Sequence, residues 1–174
     1  MLRSWLFCTS CLQPANYALL TTLYYSYLYP VKLKIDNDQL AEEFFEDTFL
    51  LGIMAPVEPH QFVWQINQSL RFDFRINNDL EVQLNKKGRS YFFSVYQYQE
   101  PHRALFYYLY KNLFDGEYLL PEFKHLDYLW LAKGDLPGKE AEVELIADVR
   151  RIPGVQLVVE LTHEKIKNKQ HLVL

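Results

Sequence analysis

Two nearby segments, residues 90–99 and 104–111, read SYFFSVYQYQ and ALFYYLYK, with rings at successive positions rather than at every second one. A strand turns successive side chains to opposite faces. A strand with one wet face alternates apolar and polar residues, so strands of this texture need both faces at least partly covered. A chain of 174 residues has room for one domain with a core of that kind. Aromatic residues make up 16% of it, and rings suit a pleated, half-buried surface.

The flanking sequence supplies the rest of such a sheet. The run Phe49-Leu50-Leu51-Gly52-Ile53 has the length of a buried strand. Residues 60–70 carry Phe62, Val63, Ile66 and Leu70 on one helical stripe. Phe72, Phe74 and Ile76 alternate with charges, as do Leu80, Val82 and Leu84 with polar residues. Asn77-Asn78-Asp79 between them predicts a hairpin turn, with Phe72, Phe74, Val82 and Leu84 inward. Lys86-Lys87-Gly88 and Glu100-Pro101-His102 are further turns, and residues 126–133 a further strand. Residues 139–152 form the clearest helix, with Leu145, Ile146, Val149 and Ile152 on one face and Pro153-Gly154 as its stop. Residues 155–161 close the sheet with Val155, Leu157, Val159 and Leu161 inward, before a polar tail with a short apolar end. The expected class is α+β: a mainly antiparallel sheet, a meander of about five strands plus one to three flanking ones, with two helices packed on one face.

Residues 1–30 differ from everything after them. They contain both cysteines, Cys8 and Cys11, a single charge at Arg3, and none of the 22 acidic residues. Thr9, Ser10, Gln13 and Pro14 interrupt the apolar run that a signal peptide needs, and the stretch up to residue 29 is too polar for a membrane helix. The expectation is that residues 31–174 are a single domain. Residues 1–30 are then a disordered leader or translated upstream sequence, with Val31 as the start. No strand–helix context flanks Cys8 and Cys11, so they are not read as a redox pair. Two cysteines do not make a disulfide scaffold, which places the chain in the cytoplasm. A formal charge of −4 gives no push toward nucleic acid or an anionic membrane.

One segment is both charged and bounded by apolar sequence: Leu120-Pro121-Glu122-Phe123-Lys124-His125-Leu126-Asp127-Tyr128. It resembles the signature of the bacterial IPExxxVDY family, with Leu120 and Leu126 as aliphatic substitutes for Ile and Val. The likeness extends more weakly to Leu51-Gly52-Ile53 and to Trp64-Gln65-Ile66-Asn67. It implies a shared order of elements from about Val31 onward, and it implies no activity.

Chemically, Glu122, His125 and Asp127 offer the atoms of an acid/base or hard-metal site. On a strand, His125 and Asp127 would share a face, opposite Leu126 and Tyr128. The structural alternative has Pro121 setting a turn, Glu122 accepting backbone or basic-side-chain bonds, and Asp127 with Tyr128 pinning the strand edge. That alternative is preferred, because two carboxylates and one histidine are not a metal-ligand set. Trp64 and Asn67 lie three apart on the helix. They are expected to pack, with Trp64 over the sheet edge and Asn67 satisfying a backbone group, rather than to line a pocket. Lys86, Lys87 and Arg89 precede aromatic strand, as in RNA-recognition modules, but Arg89 and Ser94 stand where such modules need rings.

No zinc-protease, phosphate-loop or nucleophile-elbow motif occurs, and no cofactor or metal is expected. The functional expectation is a non-enzymatic binding or protein-interaction domain, with a protein partner favoured over nucleic acid and no membrane span in residues 31–174. Two alternatives stand beside it: a small metal- or acid/base-dependent enzyme using Glu122, His125 and Asp127, and an RNA-associated factor.

Overall fold

The computed structural model describes residues 42–86, 88–136 and 138–172. The readings of residues 1–30 and of Val31 as the start lie outside the described residues.

The chain forms β1 (Thr48–Met54), α1 (Pro59–Leu70), β2 (Arg75–Lys86), β3 (Arg89–Gln99), β4 (Leu105–Lys111), the two-residue strands β5 (Leu113–Phe114) and β6 (Glu117–Tyr118), β7 (Tyr128–Gly134), α2 (Lys139–Arg150) and β8 (Leu157–Glu160). Short 3₁₀ turns occupy Pro121–Phe123, His163–Lys165 and Lys169–Leu172. Six strands make one sheet in the order β2-β3-β4-β7-β1-β8, antiparallel at every junction. The class is α+β, as the alternation of apolar positions implies. No helix among the described residues is long and apolar enough to cross a membrane.

Both helices lie on one face. Phe62, Val63 and Ile66 of α1 and Val149 of α2 pack with Leu51, Ile53, Leu109 and Trp130 of the sheet. The opposite face presents Leu50, Phe93, Val95, Leu129 and Leu131; neither α1 nor α2 covers them, and Phe45, in the helical turn of residues 42–45, packs into their cluster. Leu119, Leu120 and Leu126 from the connection before β7, with Leu161, Ile166 and Leu172 from the C-terminal segment, lie over them instead. The expected polar tail is therefore a covering layer.

Four expectations are corrected. Residues 71–76 and 80–84 do not pair with each other. β2 runs through Asn77-Asn78-Asp79 without reversing and pairs with β3 throughout. Asn77 faces Val95 and Glu81 faces Ser94, so Asn78, Asp79 and Leu80 form a bulge. The Asx bond that made these residues look like a turn is present, with Asp79 N–H donating to Asn77 Oδ1 at 2.9 Å. The bulge also breaks the assumed common face: Phe72 and Phe74 join the helix-covered core, whereas Val82 and Leu84 join the opposite one. Third, β7 begins only at Tyr128, so His125 and Asp127 are not strand neighbours. Fourth, β8 does not alternate as expected: Val158 is buried under the helices and Leu157 is exposed.

Candidate functional site

The signature residues are gathered into one region but their side chains leave it in different directions. Pro121 opens a 3₁₀ turn, and the Glu122 carboxylate reaches the C-terminal segment. Glu122 Oε1 accepts from Lys167 N–H at 2.8 Å and Asn168 N–H at 3.1 Å, and Oε2 accepts from Asn168 Nδ2 at 2.9 Å. Burial alone would raise the pKa of this carboxyl. The hydrogen bonds from its own backbone, Asn168 and Lys167 outweigh that effect and hold it below the ordinary value.

Asp127 serves the other end of the connection. Its N–H donates to Ile53 O at 2.9 Å, and its Oδ2 accepts from Ala55 N–H at 2.9 Å. Tyr128 donates to Val57 O at 2.5 Å. Burial first, then the charges of Asp127 and Glu58, pushes the Tyr128 phenol well above its usual range. His125 is exposed, touching only the edge of the Phe123 ring, with centroids 6.4 Å apart. Each carboxylate is thus occupied by backbone donors of a different neighbour, and His125 joins neither. Among the described residues no three His, Cys, Asp or Glu side chains gather as a metal site.

Two residues outside the signature complete it. Leu126 packs directly on Gly52, where any β-carbon would collide with its side chain. Asn112 is 0% exposed and holds the connection from within. Its Nδ2 donates to Phe123 O and Leu126 O, each at 2.9 Å, and its Oδ1 accepts from Leu120 N–H at 2.9 Å. Sequence reasoning did not single out Asn112, because a lone polar residue between two strands has no spacing that betrays burial.

Trp64 and Asn67 also separate. Asn67 closes a two-bond clamp on Phe74, donating to its O at 3.1 Å and accepting from its N–H at 2.9 Å. Trp64 does not pack over the sheet edge as expected; it is 64% exposed on the outer side of α1, where the inward stripe is already filled by Phe62, Val63 and Ile66.

A cleft of about 320 Å³ lies between α2 and the helix-covered face. Its floor is one row across four strands, in which Tyr98 faces Tyr107, Tyr107 faces Ala132, and Ala132 faces Phe49. Ala132 is the low point of this row. Phe72 stacks on the two tyrosines, with centroids 5.0 Å from Tyr98 and 5.2 Å from Tyr107. Ala141 and Leu145 of α2 form the wall, and the small side chain of Ala141 leaves room opposite the dip.

Charges ring the opening: Glu142, Glu144 and Asp148 on α2, Glu100 and Arg103 at the β3–β4 turn, and Arg71 at the left-handed C-terminus of α1. Arg103 is engaged by Glu100 at 3.5 Å and by Asp135 O at 3.0 Å, and Asp148 pairs with Arg151. Tyr107 is 6% exposed, and its hydroxyl has no hydrogen-bond partner among the described residues. Burial first, then the Glu100 charge, pushes its pKa up to about 12, so the phenol stays protonated and available as a donor. None of these cleft residues belongs to a motif. Their only sequence trace is the ring-dense texture of residues 96–98 and 106–108.

No family model matches the chain, and no curated protein does either.

Proposed function

We propose that this chain is a non-enzymatic, cytoplasmic binding domain whose ligand seats in the cleft between α2 and the sheet. The observation that carries this reading is the cleft's floor, a row of rings around the Ala132 dip in which the Tyr107 hydroxyl has no hydrogen-bond partner among the described residues. A concave site that sets apolar rings beside a donor with no protein partner lets a small ligand gain burial and a hydrogen bond together. The signature supports the same reading from the other direction. Glu122 and Asp127 are committed to backbone donors, which suits a motif that builds the fold, and we propose that the IPExxxVDY resemblance is of that architectural kind.

Filling the cleft tests the reading. Ala141→Phe places a ring over the dip from a half-exposed helix position, so the fold should tolerate it. A fragment library screened by NMR against the full chain should give hits that shift Ala132 and Tyr107 resonances and that Ala141→Phe abolishes. Hits confined to other surfaces, or unaffected by that variant, would overturn the assignment.

A further inference from the structure

We infer that the cleft is built for an organic cation: an amine or guanidinium carried on a flat apolar body about one ring in size. This rests on the cleft being a ligand site. The volume, about 320 Å³, lies at the small end of ligand pockets. The floor offers the apolar surface, with the rings of Phe72, Tyr98 and Tyr107 around the Ala132 dip.

The sign of the charge follows from which rim groups are already neutralised. Arg103 with Glu100, and Asp148 with Arg151, form pairs at the opening. Neither Glu142 nor Glu144 on the wall helix, nor Arg71 across from them, is in an ion pair among the described residues. The uncompensated charge of the opening is therefore negative. A cation entering between α2 and the ring row would meet carboxylates on one side and an aromatic floor on the other, the two kinds of partner that attract it. An anion would have to pass the same carboxylates with Arg71 as its one unpaired partner.

A matched series that shares one ring separates charge from shape: phenethylamine, 2-phenylethanol and 3-phenylpropionate, titrated into the full chain and followed by NMR. The expected order is phenethylamine tightest, about tenfold over 2-phenylethanol, with 3-phenylpropionate weakest. Adding salt should narrow the gap, because rim charges are screened. The double variant Glu142→Gln/Glu144→Gln, at surface positions, should remove most of the preference for the amine and leave 2-phenylethanol binding unchanged. If 3-phenylpropionate binds tightest in the cleft, or the double variant leaves the order intact, the cation assignment is wrong while the ligand site stands. If none of the three perturbs cleft resonances and the fragment screen also finds nothing there, the site itself falls.

Discussion

The two faces of the sheet are covered by different means, and the difference explains where this molecule keeps its polar groups. α1 and α2 cover one face with most of their backbone bonds satisfied internally, so apolar side chains carry most of that layer, with the Asn67 clamp on Phe74 and the bond from Arg150 to Val158 O as polar additions. The other face is covered mainly by the 119–126 connection and the C-terminal segment, whose short 3₁₀ turns satisfy only some of their own N–H and C=O groups. Side chains do it for them. Asn112 binds the connection, Glu122 ties it to the C-terminal segment, His171 Nδ1 lies 2.7 Å from Leu119 O, and Tyr110 donates to Leu172 O at 3.3 Å. A helical cover therefore leaves cracks such as the cleft, whereas an irregular cover demands specific polar residues. The signature segment is the vocabulary of the second kind of cover.

The strongest way to break this comparison is Asn112→Ala. Three backbone groups would lose their partner, at about 1–3 kcal/mol each and less where water can reach the partly buried Phe123 O, so a loss on the order of 3–6 kcal/mol is expected in chemical denaturation. A cost under about 1 kcal/mol would mean that water or rearrangement can replace the side chain. Phe62→Ala, on the helical side, should cost about 3–5 kcal/mol through a cavity alone. The two variants should differ in rescue. An apolar side chain of intermediate size at 62 should recover stability, and one at 112 should not.

Gly52→Ala should cost about 1–3 kcal/mol, because its new methyl meets Leu126. Combining it with Leu126→Ala should cost less than the sum of the single changes, which a double-mutant cycle measures. Glu122→Ala should cost about 1–3 kcal/mol and Glu122→Gln less, since the amide keeps one acceptor oxygen. Its pH dependence has a definite sign. The folded carboxyl titrates below its ordinary 4.5, so its stabilisation is complete above pH 4.5 and is lost as pH falls through the lowered value. Glu122→Gln should therefore flatten the acid limb of the stability profile. Trp64→Ala is the smallest effect, within about 0.5 kcal/mol, because most of the ring faces solvent.

Periodicity made the helical cover legible and hid the irregular one. Phe62, Val63 and Ile66 on α1 and Val149 on α2 announce themselves at helical spacing, and the antiparallel class follows from β3 and β4. Ile166 and Leu172 sit in a segment with no period of either kind, so their burial is invisible until the sheet beneath them is known. Asn77 shows a subtler failure. Its Asx bond is a real local preference, but β3 continues alongside and tertiary pairing turns the expected hairpin into a bulge. Within the site, Glu122 and Asp127 were legible as a unit because they are close in sequence. Tyr98, Tyr107 and Ala132 come together only through the register of three strands.

The contact between Gly52 and Leu126 has a consequence for descent. Two positions seventy-four apart in the chain share one volume, so neither can drift alone. A lineage that replaces the glycine must first, or together, shorten the residue at 126, and a lineage that enlarges 126 must keep residue 52 bare. Sequences descended from a common ancestor with this chain should therefore show the two sites changing in step. The glycine in the first strand and the aliphatic residue of the signature are a single inherited character.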